Sequence, residues 1–406
     1  SKFDIGDSYR IDDYTLAYPL PPEPLQRFML AGIWVARDAN WSPDFPAAAQ
    51  EVQKLYKIPT KTDTQAVVAF DQLFVKGILK ALGPIKLPNF TDPVTADNVE
   101  NYMQQAWAPE PGEGLTPEWW ANRKDFMGTM GKVLMDTLFQ TRDPGKLLDL
   151  TREMIQSLEQ GHLLVYFNNP QAEQVLAEAG WDGALHKGTG DFLMLVDSNL
   201  GFNKTDTVVN RSLEYHVNLA DPAHPQADIF TQYQHTLQAD VACVHRATYG
   251  KTGTYADMQR RCYWDYWRIY LPDGAALVSA NVKPVPGDEL LSKNPWPAKV
   301  EVYPGEQDSQ VFAGMMVLPP GGKEQNHVQV DLPAAVVKQV NGAWQYSLVV
   351  QKQAGLAQLP FKIVITLPKG STPQFDTTGW KEAGSNTWEW SGKLSQAQTL
   401  SVTWTN

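Results

Sequence analysis

The chain has 406 residues, 43% of them hydrophobic, and a formal net charge of -11 at pH 7. This length exceeds that of one typical domain, and the apolar content suffices for substantial cores, which excludes a disordered chain. The acidic balance, without any cluster of Lys and Arg around aromatic residues, excludes nucleic acid as a partner.

The N-terminus and the hydropathy bear on cellular location. No apolar run reaches the roughly 18 to 20 residues that cross a bilayer, and the first ten residues contain no signal-peptide core. Phe3, Ile5 and Tyr9 nevertheless resemble the interior of a domain. We therefore expect an upstream segment before Ser1, and we expect any membrane anchor to lie in that segment.

The first half of the chain alternates strand and helix signals. Residues Ala66–Phe70 (AVVAF) are typical of a buried strand, and Asp71 can cap the following helix, which Gly83 ends. Further helices are predicted after Thr95, from Thr116 to about Phe139, after Asp143 and after Asn169, and further strands at 162–167 and 191–197. These signals predict an α/β domain over residues 1–200 with helices against a sheet.

After Gly201 the helical period gives way to β-rich runs separated by Gly, Pro, Asn and Asp. Strands at this spacing are typical of one or two β-sandwiches. The proline-rich segment 281–306 is the best internal boundary. The predicted fold class is therefore α+β multidomain: an α/β domain at 1–200, a β-rich domain at 201–300 and a β-sandwich domain at 301–406.

One predicted strand, CYWDYWRIY at 262–270, is unusually aromatic. Alternation places Tyr263, Asp265 and Trp267 on one face and Trp264 and Tyr266 on the other. A strand between two layers would bury both faces, and this is our prediction. The alternative is a surface on which sugar rings stack.

Two cysteines, Cys243 and Cys262, flank a segment in which Gly250 and Gly253 suit a turn between strands. This arrangement predicts a disulfide, which would indicate an oxidising, extracytoplasmic setting. The alternative is a pair of inert, buried thiols.

The segment RDANWSPDFP combines a helix start with charged residues. Ser42 can cap a helix with Pro43 at its first position, so we expect Ser42 or Asp44 at a helix N-terminus, with Trp41 and Phe45 packed inward.

Arg37, Asp38 and Asn40 precede this helix N-terminus, which is a place that can bind an anion. They are the candidate ligand-binding residues of the segment. The alternative is structural: Arg37 pairs with Asp38 and closes a turn. An Arg37 directed into a cleft with Arg123 would instead indicate a phosphate-bearing ligand.

Several longer motifs resemble the exported bacterial family called domain of unknown function 4012. They are RDANWSPDFPAAAQEVQKLY, AVVAFDQLFVKGILKALGPIKLP, VTADNVENYM, GDFLMLVDSNLGFNKTDTVVNRSLEY and YSLVVQKQAG. The resemblance spans nearly the whole chain and implies an extracytoplasmic, cell-surface or secreted bacterial protein, with an anchoring helix upstream. The family has no established activity.

The segment AVVAFDQLFVKGILKALGPIKL is also similar to a strand and helix of the LytR-CpsA-Psr proteins. These proteins transfer glycopolymers from polyprenyl-pyrophosphate lipids to cell walls and hold the pyrophosphate with arginines and an aspartate-bound metal. Here MQQAWAPEP stands where their paired arginines are expected, and Arg123 and Lys124 match their last basic cluster. The resemblance makes these two residues candidate ligand-binding residues, with a divalent metal only under this interpretation.

Other patterns are weaker. Asp4, Asp7, Asp12 and Asp13 offer oxygen ligands for calcium without EF-hand spacing, so a solvated acidic turn is favoured. The seven histidines, His245 among them, lack metal-ligand spacing, and no P-loop or G-x-S-x-G motif is present. We predict neither metal nor cofactor. Short sequons occur at Asn40, Asn89, Asn203 and Asn210.

Two functional hypotheses remain. The first is a non-catalytic cell-envelope protein that scaffolds, assembles at the surface or binds glycan, with envelope glycan, another surface protein or a second copy of itself as the partner. The second is a cell-wall glycopolymer phosphotransferase whose site is completed by an upstream segment. The small number of basic residues favours the first.

Overall fold

The computed structural model describes residues 5–88, 90–107, 125–247 and 254–405. They divide into two compact units: the first comprises the described residues within 1–22, 31–184 and 248–258, and the second those within 23–30, 185–247 and 259–406. The described residues are mixed α and β, which confirms the predicted α+β multidomain class. They form eight α-helices: α1 Glu23–Met29, α2 Phe45–Thr60, α3 Gln72–Leu82, α4 Val99–Trp107, α5 Asp125–Gln140, α6 Pro144–Glu159, α7 Pro170–Ala179 and α8 Tyr255–Gln259.

Local signals set the ends of α3. The side chain of Asp71 accepts hydrogen bonds from the backbone N–H groups of Leu73 at 2.8 Å and Phe74 at 3.0 Å. These bonds satisfy two donors that the first helical turn cannot. Gly83 follows the helix with a φ of +88°, a conformation that glycine adopts at little cost. The cap and the stop that the sequence predicts are therefore confirmed.

The first unit packs around α3. One face of this helix contributes Val75 and Leu79 to a cluster with Met130 of α5, and another contributes Ile78 and Leu82 to a cluster with Leu150 of α6. All of these side chains are buried. The helix is thus held from two sides by apolar contacts, which supply most of the stability of a short helix.

The sheet of the first unit is small. Strands β1 (Ala66–Phe70) and β2 (Leu163–Phe167) form an antiparallel pair in which Ala66 faces Phe167 and Phe70 faces Leu163. The predicted strand that begins at Asp191 belongs to the second unit instead. All six of its residues are buried between neighbouring strands of a larger sheet, which its continuous hydrophobic run anticipates.

The second unit consists of two large sheets. The seven-stranded sheet has the order β15-β16-β13-β4-β5-β10-β7, and the other has the order β14-β17-β12-β3-β6-β9-β8, with β11 paired to β12. The strands are β3 Asp191–Val196, β4 Val209–Asn218, β5 Gln226–His235, β6 Tyr263–Pro272, β7 Ala276–Asn281, β8 Glu301–Pro304, β9 Ser309–Leu318, β10 Lys323–Asp331, β11 Val337–Val340, β12 Ala343–Lys352, β13 Leu359–Thr366, β14 Thr372–Phe375, β15 Lys381–Gly384, β16 Thr387–Leu394 and β17 Gln398–Thr405.

The two sheets face each other across one core. Tyr215 and Ile363 of the seven-stranded sheet share it with Trp267, Tyr346 and other residues of the second sheet, and all are buried. In β6 the first nine residues are buried, so the prediction of a strand between two layers is confirmed. Among the described residues after 210, helix is confined to short turns and to α8, as the change of periodicity predicts.

The arrangement of the two units and their strands differs from the predicted boundaries near residues 200 and 300. The second unit begins its main segment at Leu185, and both sheets contain strands from 201–300 together with strands from 301–406. The proline-rich segment connects β7, at the edge of one sheet, to β8, at the edge of the other. Its composition resembles that of a domain linker because the segment crosses between the two sheets of one sandwich.

Helix α1 belongs to the second unit although it lies near the N-terminus. Its Phe28 is buried, with its ring centroid 5.5 Å from that of Trp296 and 5.9 Å from that of Tyr266. Its Arg27 binds Glu301 at 3.0 Å. These contacts attach residues 23–30 to the outer side of the second sheet.

Candidate functional site

The candidate anion-binding residue Arg37 is held by neighbours within the first unit. Its guanidinium forms an ion pair with Asp12 and lies 4.6 Å from the ring centroid of Tyr9. It also donates a hydrogen bond of 3.2 Å to the hydroxyl of Tyr14. The side chains of Arg37 and Asp12 are 18% and 2% exposed. The positive charge of Arg37 is therefore neutralised inside the unit.

The other candidates are a second, more distant partner of Arg37, an exposed residue, and two residues outside the described ranges. Asp38 approaches Arg37 Nε to 3.8 Å, but its side chain is 56% exposed, so Asp12 is the principal partner. Asn40 is exposed. Arg123 and Lys124 lie outside the described residues, so the predicted cleft that they would share with Arg37 stays a prediction.

The helix start in this segment differs in detail from the first expectation. Asp44, not Ser42, is the N-cap of α2: its carboxylate accepts a hydrogen bond of 3.3 Å from Ala47 N–H. Ser42 Oγ accepts a hydrogen bond from Asp44 N–H instead. Phe45 is buried and Trp41 is half-buried. The expectation that Ser42 or Asp44 begins the helix is confirmed, and the assignment of Pro43 to the first turn is wrong because the helix starts two residues later.

A group of ionisable side chains, most of them buried, lies in the second unit. Asp197 accepts a hydrogen bond of 2.7 Å from the hydroxyl of Tyr233 and pairs with Arg211 Nε at 3.1 Å. Arg211 also reaches Asp206, at 3.5 Å, and Asp206 accepts a hydrogen bond of 2.9 Å from Tyr263. The Arg211 and Asp197 side chains are 7% and 2% exposed. We call Asp197, Asp206, Arg211, Tyr233, Tyr263 and Asp265 the acid cluster.

Asp265 completes the acid cluster from β6. Its Oδ1 accepts a hydrogen bond of 2.8 Å from Ser198 N–H. Burial, and next the charge of Asp197, raise the pKa of Asp265 well above its ordinary value. Arg211 favours the charged form of Asp197, so Asp265 is the member of the pair that binds a proton more readily.

The loop between β3 and β4 is built by the polar residues of the motif DSNLGFNKT. Asn199 Nδ2 donates a hydrogen bond of 2.9 Å to Asn203 Oδ1, which also accepts one from Thr205 N–H. Asn203 Nδ2 donates a hydrogen bond of 2.9 Å to Cys262 O, so the side-chain nitrogen of this sequon already has a partner within the protein. A Cβ at Gly201 would lie 2.9 Å from the Trp264 ring. The motif thus encodes a fixed corner.

Asp191 is a second buried carboxylate in the core. The hydroxyls of Tyr215 and Tyr346, which lie on opposite sheets, donate hydrogen bonds to its Oδ2 at 2.8 and 2.6 Å. Burial raises the pKa of Asp191 to about 6, and these hydrogen bonds act in the opposite direction. The arrangement ties the two sheets together through one side chain.

The predicted disulfide is confirmed. Cys243 and Cys262 are bonded, with their Cα atoms 5.5 Å apart. His245 lies two residues beyond Cys243, stacked on Trp264 with ring centroids 4.9 Å apart, and it is 2% exposed. Burial lowers the pKa of His245 to about 4. A neutral, stacked imidazole of this kind packs as a core residue.

Among the described residues, no three His, Cys, Asp or Glu side chains are placed to hold a metal ion. No helix of the described ranges is long and apolar enough to cross a membrane. The sequence reasoning did not identify Asp191, Asp197 or Arg211 as important. The sequence signal for these residues is a charged side chain within or next to an otherwise hydrophobic strand.

Residues 3–107 match the model of a family described as a protein of unknown function (DUF4012). This match supports the resemblance to that family of unknown function, and the resemblance to LytR-CpsA-Psr proteins stays a prediction. No curated protein matches the chain.

Solved structures give distant likenesses only. A Legionella pneumophila protein, provisionally described as nutrient binding, has 9% identity and a TM-score of 0.34, covering 55% of this chain and 73% of its own. Yeast LTA4 hydrolase has 7% identity and a TM-score of 0.28, covering 49% and 29%. An M1 zinc metallopeptidase from Deinococcus radiodurans has 10% identity and a TM-score of 0.24, covering 48% and 42%. The aligned part spans less than half of these two enzymes. With TM-scores below 0.5, the comparisons assign neither a fold nor an activity.

Proposed function

We propose that the protein is a non-catalytic, extracytoplasmic component of the bacterial cell envelope that acts in scaffolding, surface assembly or glycan binding. The observation that carries this proposal is that these ionisable groups are paired with one another. Arg37 is bound by Asp12, and Arg211 and Tyr233 of the acid cluster both bind Asp197 inside the second unit. Catalytic groups must instead be directed at a substrate in an accessible cleft.

Two further observations support the location. The disulfide between Cys243 and Cys262 is typical of proteins that fold in an oxidising compartment. The match of residues 3–107 supports a resemblance to a family that we expect to be exported. Neither observation depends on the arrangement of the ionisable groups.

A glycopolymer phosphotransferase would need cations that are free to hold a pyrophosphate. Arg37 lacks this freedom because Asp12 already neutralises it beneath the ring of Tyr9. No contact of the described residues favours this second function, and we do not propose it.

The location can be tested in intact cells that produce the full-length protein. Single cysteines are placed at the exposed residues Lys381 and Gln234 in a background in which Cys243 and Cys262 are serine. We expect a membrane-impermeant maleimide to label both positions without lysis once the outermost envelope layer is permeabilised. Labelling only after lysis of the cytoplasmic membrane would contradict the proposal.

The absence of catalysis needs a separate test. Cells that lack the protein should attach the normal amount of phosphodiester-linked glycopolymer to their walls. A loss of wall-linked polymer that wild-type protein restores and the Arg37→Ala protein does not would overturn the proposal.

A further inference from the structure

The outer face of the seven-stranded sheet carries an ordered array of side chains, most of them polar. Cross-strand pairing aligns one row across β13, β4, β5, β10 and β7, and a second row lies beside it on the same strands. The first row is Lys362, Glu214, Phe230, His327 and Asn281, and the second is Val364, His216, Asp228, Gln329 and Ser279. We call these ten residues the polar face.

Both rows point away from the core. The residues that alternate with them along the strands, such as Tyr215, Ile229 and Val328, are buried between the sheets. Because successive side chains of a strand point to opposite faces, the polar face is directed outward. Asn281 and Ser279 are exposed, and the His327 and His216 side chains are 29% and 37% exposed.

The centre of the polar face is rigid. The rings of Phe230 and His327 are parallel with their centroids 4.4 Å apart, and His216 packs against Phe230 at 5.0 Å. His327 Nε2 is 2.7 Å from Asp228 Oδ1, which fixes the imidazole from the other side. The polar groups are therefore held in place before any ligand arrives, which reduces the entropy lost on binding.

The ionisable groups of the polar face are paired locally. His327 lies against Asp228, His216 lies 3.4 Å from Glu214, and Lys362 binds Glu389 of the adjoining strand at 3.2 Å. No member of the two rows is a large hydrophobic residue exposed to solvent. Such a surface favours neither a phosphate-bearing polymer nor an apolar protein surface. It offers hydrogen-bonding groups to a ligand that is polar and uncharged.

We propose that the polar face binds a neutral polysaccharide, with the sugar chain running across the strands. The hydroxyl groups of a sugar both donate and accept, and the carboxylates, imidazoles and the amides of Asn281 and Gln329 supply both complements. Five strands span about 19 Å between the outer two, at about 4.8 Å per strand. This length suits a short run of sugar units. The inference rests on the proposed function in its glycan-binding form.

The experiment uses the whole chain. Binding is measured by isothermal titration and by NMR with cellohexaose, maltohexaose, mannohexaose and chitohexaose, and with neutral polysaccharide prepared from the envelope of the producing cell. We expect saturable binding to at least one of these probes. The double variant Asn281→Ala, Gln329→Ala should weaken it at least tenfold, because both changed side chains lie on the polar face. Phe230→Ser, monitored by circular dichroism for folding, should also weaken it.

The matched control is the double variant Lys381→Ala, Glu382→Ala on the exposed edge strand β15, which should bind as wild type does. No binding to any probe, or equal binding by the polar-face variant, would overturn the inference. Binding of an anionic polymer in preference to neutral ones would also overturn it. If the protein is labelled from outside but binds no glycan, the envelope location stands and this inference fails. If the protein is cytoplasmic, the proposed function fails whatever the protein binds.

Discussion

Asp265 Oδ1 accepts a hydrogen bond of 2.8 Å from the backbone N–H of Ser198 in the interior of the second unit. Ser198 follows β3 and Asp265 lies near the start of β6, and these strands pair antiparallel in one sheet. Arg211 and the hydroxyl of Tyr233 bind Asp197, the residue before Ser198. The bond from Ser198 to Asp265 therefore fixes the start of the corner loop that the motif DSNLGFNKT encodes.

The protonation of Asp265 can be tested by replacing this residue. In Asp265→Asn the neutral amide keeps an oxygen that accepts from Ser198 N–H and places no charge beside Asp197, so the free energy of unfolding at pH 7 should equal or exceed that of wild type. Asp265→Ala leaves Ser198 N–H without this acceptor and should cost about 2–4 kcal/mol. Chemical denaturation of both variants measures the difference. Equal destabilisation by the two substitutions would contradict a neutral Asp265.

Asp191 makes stability depend on pH. Its folded pKa of about 6 exceeds the ordinary 3.8, so the folded state binds this proton more tightly than the unfolded state does. The resulting stabilisation is complete below pH 3.8 and is lost as the pH rises through 6. The loss from this group is about 3 kcal/mol.

Tyr346→Phe provides the test of this pH dependence. The substitution removes a hydrogen bond to the carboxylate, so it should raise the pKa of Asp191 further and destabilise the protein more at pH 8 than at pH 5. Carboxyl-detected NMR and urea denaturation at both pH values measure the two effects. Tyr166→Phe in the first unit is the control and should show equal effects at the two pH values. A Tyr346→Phe cost that is larger at pH 5 would contradict the assignment.

The disulfide closes a loop with a sequence separation of 19 residues. The double substitution Cys243→Ser, Cys262→Ser should lower the free energy of unfolding by about 3 kcal/mol, mainly because the unfolded chain becomes less restricted. Thermal unfolding with and without reductant measures this effect, and intact mass with alkylation verifies the bond. Reductant should leave the double variant unchanged. Complete alkylation of the native wild-type protein without reductant would contradict both the bond and the oxidising location.

Arg37 should stabilise the folded protein through its ion pair with Asp12. Arg37→Ala leaves a carboxylate that is 2% exposed without its cation, which should cost about 2–3 kcal/mol of stability. In an Asp12→Asn background the same substitution should cost much less, so a double-mutant cycle should give a coupling of at least about 1 kcal/mol. Denaturant titrations of the four proteins supply the cycle. Additive costs would mean that Arg37 does not depend on Asp12.

The sequence predicts best what depends on neighbouring residues. Asp71 and Gly83 mark the ends of α3 because a cap and a positive φ are local requirements. The start of α2 is displaced by two residues because Ser42 and Asp44 are both good acceptors, with a proline directly after Ser42 and another two residues after Asp44. Local chemistry alone does not choose between them.

Long-range pairing could not be predicted in this way. Asp265 binds Ser198 from 67 residues away, and Asp191 meets Tyr346 from 155 residues away. The proline-rich segment near residue 300 resembles a domain linker because crossing between two sheets requires the same residues. The presence of strands from both segments in the same sheets depends on sheet topology, which periodicity does not reveal.

The most direct test of the account is whether Arg37 is available to a pyrophosphate ligand. Farnesyl pyrophosphate with Mg²⁺ is titrated into the whole chain by isothermal calorimetry, with the Arg37→Ala, Asp12→Asn double variant as the comparison. The account predicts no saturable binding to wild type, because the Arg37 guanidinium is already paired with Asp12. Saturable binding to wild type that the double variant loses while remaining folded would contradict the non-catalytic assignment.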